Sequence, residues 1–277
     1  MTSRSRKTFA ELITLPDLGI PIAEASLLVA CEEYPQLALG PYLDQLDDIA
    51  GDVDNRLPEQ QSPLETIRTI NEVLFDEYGF HGNSADYYDP RNSFLNEVLD
   101  RRTGIPITLS ALYMEISRRI GFEVEGVGIP GHFIVKHTSN DKEIFIDPFN
   151  AGAVLSRADC HELIRNVDTE NESDGNLWLR RVSHRQIMTR MLNNLKVIYM
   201  NAGAFDKAVT MLELMILTEP SEAVPYKEKG LLQLQLRQFR QAAKDLKRYM
   251  ELAPSAEDRE EIEDYLKDIQ RIRAMMN

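Results

Sequence analysis

"IPITLSALYMEISRRIGFEVEGVGIPGHFIVKHTSNDKEIFIDPF", residues 105–149, contains the change of hydrophobic period that decides the fold. Its first third carries Ile107, Leu109, Ala111, Leu112, Ile116 and Ile120, too many apolar positions for a single stripe. That pattern predicts a helix buried on more than one side, opened by Pro106 and closed by Gly121. From Phe122 the period shortens to two. "FEVEGVGI", "HFIVKH" and "EIFIDPF" read as strands, the last two joined by a polar turn, Thr138-Ser139-Asn140-Asp141. A helix followed by a small antiparallel sheet is an α+β pattern.

Upstream, residues 20–78 read as helices. "IPIAEASLLVACEEY" places Ile22, Ala25, Leu28, Val29 and Ala30 at helical spacing, and "LGPYLDQLDDIA" does so with Tyr42, Leu43, Leu46 and Ile49. "SPLETIRTINEVLFDEYG" opens with Ser62 as N-cap, Pro63 at N1 and Glu65 at N3, and stops at Gly79. "FHGNSADYYDPRNS" reads as a loop, and "FLNEVLDRRTG" as a short helix closed by Gly104. The basic start of the chain reads as a frayed polar terminus.

Downstream, everything from Ser183 reads as helical, and a repeat of 34 residues appears. Phe205, Ala208, Leu212 and Pro220 recur as Phe239, Ala242, Leu246 and Pro254. The spacing, the small Ala and the closing Pro are those of tetratricopeptide repeats. Two such units and a last helix are too few to stand alone, so the array is expected to dock on the middle of the chain.

A formal charge of −14 disfavours binding a phosphate backbone across a broad face. No apolar run approaches the ~18 residues a membrane span needs, and no signal peptide is legible. Two cysteines, Cys31 and Cys160, make neither a disulfide framework nor a metal cluster, which suggests a reducing cytoplasm and no metal or cofactor. Cys160 falls in the first turn of a helix capped by Ser156 or Asp159, and both thiols read as small buried hydrophobes.

Within the hairpin, a turn centred between Ser139 and Asn140 pairs residues whose numbers sum to 279, as 132 + 147 do. His132 and Asp147 would then lie directly opposite, with Cβ atoms about 4.5–5.5 Å apart. A carboxylate so placed orients an imidazole and stabilises its protonated form. The plainer reading is an ion pair that closes the hairpin base.

The upstream helix together with "GIPITLS", "GIPGHF" and "FIDPFNAG" closely resembles a bacterial group of SirB-type proteins, a transglutaminase/papain-like core followed by tetratricopeptide repeats. The resemblance spans most of the chain. It implies that His132 and Asp147 match the superfamily's catalytic His and Asp, and that its nucleophilic Cys falls at Pro106, which has neither thiol nor N–H. Thr108 and Ser110 are the nearest substitute nucleophiles, and their bland reading is a hydroxyl bonded back to a carbonyl.

The expected organisation is a helical part over 1–88, the transglutaminase-like core over 89–182, and the repeats with a capping helix over 183–277. The expected function is a non-catalytic regulatory factor that binds a protein or peptide in the cytoplasm, with no nucleic acid and no membrane as partner. The alternative is a hydrolase or acyltransferase using His132 and Asp147 with another nucleophile.

Overall fold

The structure, a computed structural model, describes residues 3–139, 142–165 and 175–276. The backbone divides into two compact units, Met1–Met191 and Leu192–Asn277.

In the first unit, α1 (Ser3–Ile13), α2 (Ile22–Ala30), α3 (Leu39–Asp54) and α4 (Pro63–Asn71) lead into the core. The start of the chain is thus a helix and not a frayed terminus. Phe9 and Ile13 are buried as α1 packs on α2, and Arg6 pairs with Glu32 at 2.8 Å. Two apolar residues one turn apart held that helix, a signal outweighed in the sequence by its basic residues. Ser62 and Glu65 close the expected capping box on α4. The helix then widens into π-helical backbone over Glu72–Glu77 and ends at Gly79, whose φ is 73°.

The expected loop contains a two-residue strand, β1 (His81–Gly82), which pairs in parallel with β2 (Thr103–Gly104). Between them lies α5 (Leu95–Arg101). Gly104 does not close that helix. Arg102 takes the left-handed conformation there, φ 58°, with its guanidinium 4.8 Å from the Phe80 ring centre and 5.2 Å from that of Tyr78. Those ring contacts offset the backbone strain, a term the local sequence does not carry.

The helix α6 (Pro106–Arg119) is buried on all sides as its composition required, and it contacts α2, α3, α5, β3 and β4. The sheet runs β3 (Glu125–Ile129), β4 (His132–Ser139), β5 (Lys142–Asp147) and β6 (Ala153–Leu155), all antiparallel, so a fourth strand joins the expected three. Thr138 and Ser139 belong to β4 and not to the turn. Asn140 and Asp141 lie outside the described residues. The β4–β5 partners sum to 281, as 135 + 146 do, and not to 279. The strands pair further than expected, and the slip of two residues keeps every side chain on its expected face.

After the sheet come α7 (Arg157–Arg165), α8 (Gly175–Trp178) and α9 (His184–Asn201), which crosses the boundary between units. The second unit continues with α10 (Phe205–Thr218), α11 (Val224–Gln235), α12 (Phe239–Leu252) and α13 (Arg259–Met276). Of the repeating positions, Ala208, Leu212, Ala242 and Leu246 are fully buried. Gly230 lets α11 and α12 approach, since a Cβ there would sit 2.7 Å from Leu246.

Candidate functional site

His132 opens β4 opposite Ile129, and Asp147 closes β5. Strand alternation puts both side chains on the sheet face that carries Ile134 and Phe145. Given the register, they are diagonal neighbours, not directly opposed. The longer span suits the side chains, and His132 Nε2 lies 2.8 Å from Asp147 Oδ2. An ionised carboxylate only accepts, so this bond places the ring proton on Nε2 and leaves Nδ1 without a hydrogen-bond partner among the described residues. The ring stands edge-on to Phe149, with centres 5.9 Å apart.

Asp147 is almost fully buried and accepts three further bonds. Oδ1 takes the Phe149 and Asn150 amides at 3.1 and 3.4 Å, and Oδ2 takes the Asn150 side-chain amide at 2.8 Å. Burial pushes its carboxyl up, but the His132 hydrogen bond and charge and the Asn150 donors outweigh that and hold it below the ordinary value. Asp147 therefore orients His132 and caps the short turn Pro148–Asn150 at once. A cavity of about 400 Å³ lies against it, lined also by Asn150, Leu155, Asp159 and Glu162.

Pro106 stands at the first position of α6, after the N-cap Ile105, and is itself buried. Thr108 and Ser110 are fully buried, and their hydroxyls are occupied. Thr108 Oγ1 donates to the carbonyls of Asn92 and Ile105 at 2.8 and 3.1 Å and accepts from the Ile105 amide at 3.0 Å. Ser110 Oγ donates to the Phe133 carbonyl at 3.2 Å. Neither exchanges a hydrogen bond with His132, so the hairpin brings His and Asp together while these two hydroxyls serve α6 and its neighbours.

The thiols are equally committed. Cys160 sits in the first turn of α7, where Ser156 and Asp159 cap each other reciprocally. Its side chain packs with Val127, Ile129, Ile134, Phe145 and Ile164, and burial pushes its pKa up to about 11. Cys31 is buried after α2, and burial raises it too. Among the described residues no group of three or more His, Cys, Asp or Glu converges as a metal would need, and no helix is long and apolar enough to cross a membrane.

Sequence reasoning missed Asn92. Fully buried, it sends Nδ2 to the Asp86 carbonyl at 2.8 Å, accepts from Asn83 at 3.2 Å, and receives Thr108 on its own carbonyl. It fixes the loop of Tyr87 and Tyr88 to the start of α6. Asn92→Ala removes the side-chain bonds to the Asp86 carbonyl and the Asn83 amide and opens a hole at a fully buried position, and should cost roughly 2–4 kcal/mol in urea unfolding. A change below about 0.5 kcal/mol would show that the loop does not depend on it. Arg190 was also missed. Its Nη2 donates to the carbonyls of Ile129 and His132 at 3.2 and 3.1 Å. The one signal was Gly128, a glycine inside a strand that marks a close approach, since a Cβ there would meet Arg190 Nη1 at 2.2 Å.

Comparison with known proteins agrees with this architecture. Residues 41–193 match the profile of the transglutaminase-like superfamily and residues 195–267 that of the tetratricopeptide repeat. A UPF0162 protein of Xylella fastidiosa is 33% identical over 95% of this chain and 94% of its own. A UPF0162 protein of Vibrio cholerae is 26% identical over 66% of this chain and 68% of its own. The F-box only protein 21 of Mus musculus is 37% identical over 47% of this chain but 21% of its own length. The chain belongs to the transglutaminase-like superfamily, with tetratricopeptide repeats following its core.

Proposed function

We propose that this protein is a non-catalytic member of the superfamily, a regulatory factor that binds a protein or peptide in the cytoplasm. The observation that carries the reading is Pro106 at the head of α6, where the superfamily resemblance places a thiol. A proline offers no nucleophile to an imidazole that Asp147 has already oriented. Both cysteines of the chain are buried with raised thiol pKa values, and the hydroxyls of Thr108 and Ser110 are hydrogen-bonded elsewhere. The repeats supply a second recognition surface, because stacked helix pairs present extended faces to partner segments. A charge of −14 favours encounter with a basic or neutral partner.

A second reading is a slow hydrolase using His132 as general base toward water. The 2.8 Å contact with Asp147, and an Nδ1 without a partner among the described residues, favour it. General-base help alone supplies about 10²–10⁴-fold, well short of covalent catalysis joined to an oxyanion hole.

Affinity capture of the full chain from its own cells, repeated with His132→Ala, separates the two. Under the binding reading a defined partner is retained by both proteins and the His132→Ala cells keep the parent phenotype. A phenotype lost with His132 while partner capture persists would overturn it in favour of the hydrolase.

A further inference from the structure

A cavity of about 360 Å³ opens in the first unit, away from His132 and Asp147. It lies against the C-terminal half of α6, where Met114 comes more than two turns beyond Pro106, about 12 Å along the axis. It meets β3 at Glu125, the strand end opposite Ile129, and Ile129 is the residue that pairs with His132. The volume is that of a small-molecule site, and the walls are mostly apolar: Leu18, Ile20, Ile22, Met114, Phe122 and Val124.

These walls are held in place. The short turn Asp17–Gly19, which carries Leu18, is tied to the start of α9, since Asp17 accepts the His184 and Arg185 amides at 3.1 and 3.2 Å. The Phe122 ring stacks on His137 with centres 4.2 Å apart. Charges in the lining are spent on one another. Glu115 takes Arg118 and Arg119 at 2.6 and 2.7 Å, and Glu125 takes Arg181 at 3.4 Å. Glu123, the other carboxylate of the lining, is exposed to water. The polar group left over is the His184 imidazole, which also lines the cavity. Its Nδ1 lies 2.9 Å from the Ile20 carbonyl, which only accepts, so the ring proton sits on Nδ1. Nε2 has no hydrogen-bond partner among the described residues, and in the neutral ring it is an acceptor.

We propose that this cavity binds an uncharged aromatic molecule bearing one N–H or O–H group, which donates to His184 Nε2. A charged ligand would leave water for counter-charges that are already engaged, whereas a neutral one loses little on entry. The Met114 thioether and the Phe122 ring both favour an aromatic body over an aliphatic one. The donor matters because a wholly apolar body would exclude water from the imidazole and leave its acceptor unpaired. The site does not depend on the reading of His132 and Asp147, and it stands whether or not the protein is a catalyst.

The test uses the full chain labelled with ¹³C at the methionine methyls, with the Met114 signal assigned by its loss in Met114→Leu. Indole is added, or separately benzofuran, which has the same shape but an ether oxygen in place of the N–H. Indole should move the Met114 signal saturably with about millimolar affinity, and benzofuran should bind about tenfold more weakly. Indole-3-acetate and tryptamine carry the same ring with a negative or a positive charge, and neither should bind more tightly than indole. His184→Asn keeps an amide donor for the Ile20 carbonyl but lacks Nε2, and it should bring indole and benzofuran to equal affinity. A Met114 signal indifferent to indole, equal binding of indole and benzofuran by the parent, tighter binding of either charged analogue, or a preference for indole retained in His184→Asn would each overturn the proposal. If His184→Asn does not fold, the four ligands compared on the parent chain still decide it.

Discussion

Native protein treated with iodoacetamide near pH 7 should take up label on neither cysteine while the urea-unfolded chain is alkylated at both. The thiolate is the reacting species, and lifting the Cys160 pKa from 9.0 to about 11 cuts its population about a hundredfold at neutral pH. Full burial of the sulfur, packed against Phe145 and Ile164, slows the reaction further, because reagent must wait for an opening of the fold. Mass spectrometry after timed quenching reads both sites. Rapid stoichiometric labelling of Cys160, lost in His132→Ala, would revive a Cys–His site and sink the non-catalytic reading.

Asp147→Ala should destabilise the first unit by roughly 3 kcal/mol. The change strands the His132 ring N–H, two backbone amides and the Asn150 side-chain amide, and it uncaps the Pro148–Asn150 turn. The chain's single tryptophan, Trp178, lies in that unit, so fluorescence during urea unfolding reports it directly. Equal midpoints for the two proteins would show that the carboxylate holds nothing in place.

The same carboxylate sets an acid limb. Its native pKa lies below the unfolded carboxylate value of about 3.9. The stability it contributes is therefore fully present above that value and is lost as pH falls through the lower native one. Asp147→Asn removes this part of the dependence, and its stability should fall less steeply than the parent's below about pH 4. Identical slopes would contradict the assignment.

Much of the fold was legible because hydrophobic period is a local property. The capping box at Ser62, the buried α6, the strands around Val127, Ile134 and Phe145, and the 34-residue repeat each follow from residues near one another in the chain. The shared face of His132 and Asp147 was legible for the same reason, and it survived a register slip because the slip was an even number of residues. The helix α1 was obscured by its charges, and the left-handed Arg102 has no local marker, since the Tyr78 and Phe80 rings that favour it lie more than twenty residues away.

By itself, then, the sequence determined the buried helix and the three strands that follow it, the repeat, the shared face of one imidazole and one carboxylate, and the proline at the head of α6. Only the tertiary structure decided that Thr108 and Ser110 are spent on carbonyls, that Cys160 is core, that Asn92 ties down the Tyr87 loop, and that Arg190 grips the His132 strand. Periodicity reports which side of an element is apolar. Which polar atom finds a partner, and which charge is left without one, depends on groups brought together from distant parts of the chain.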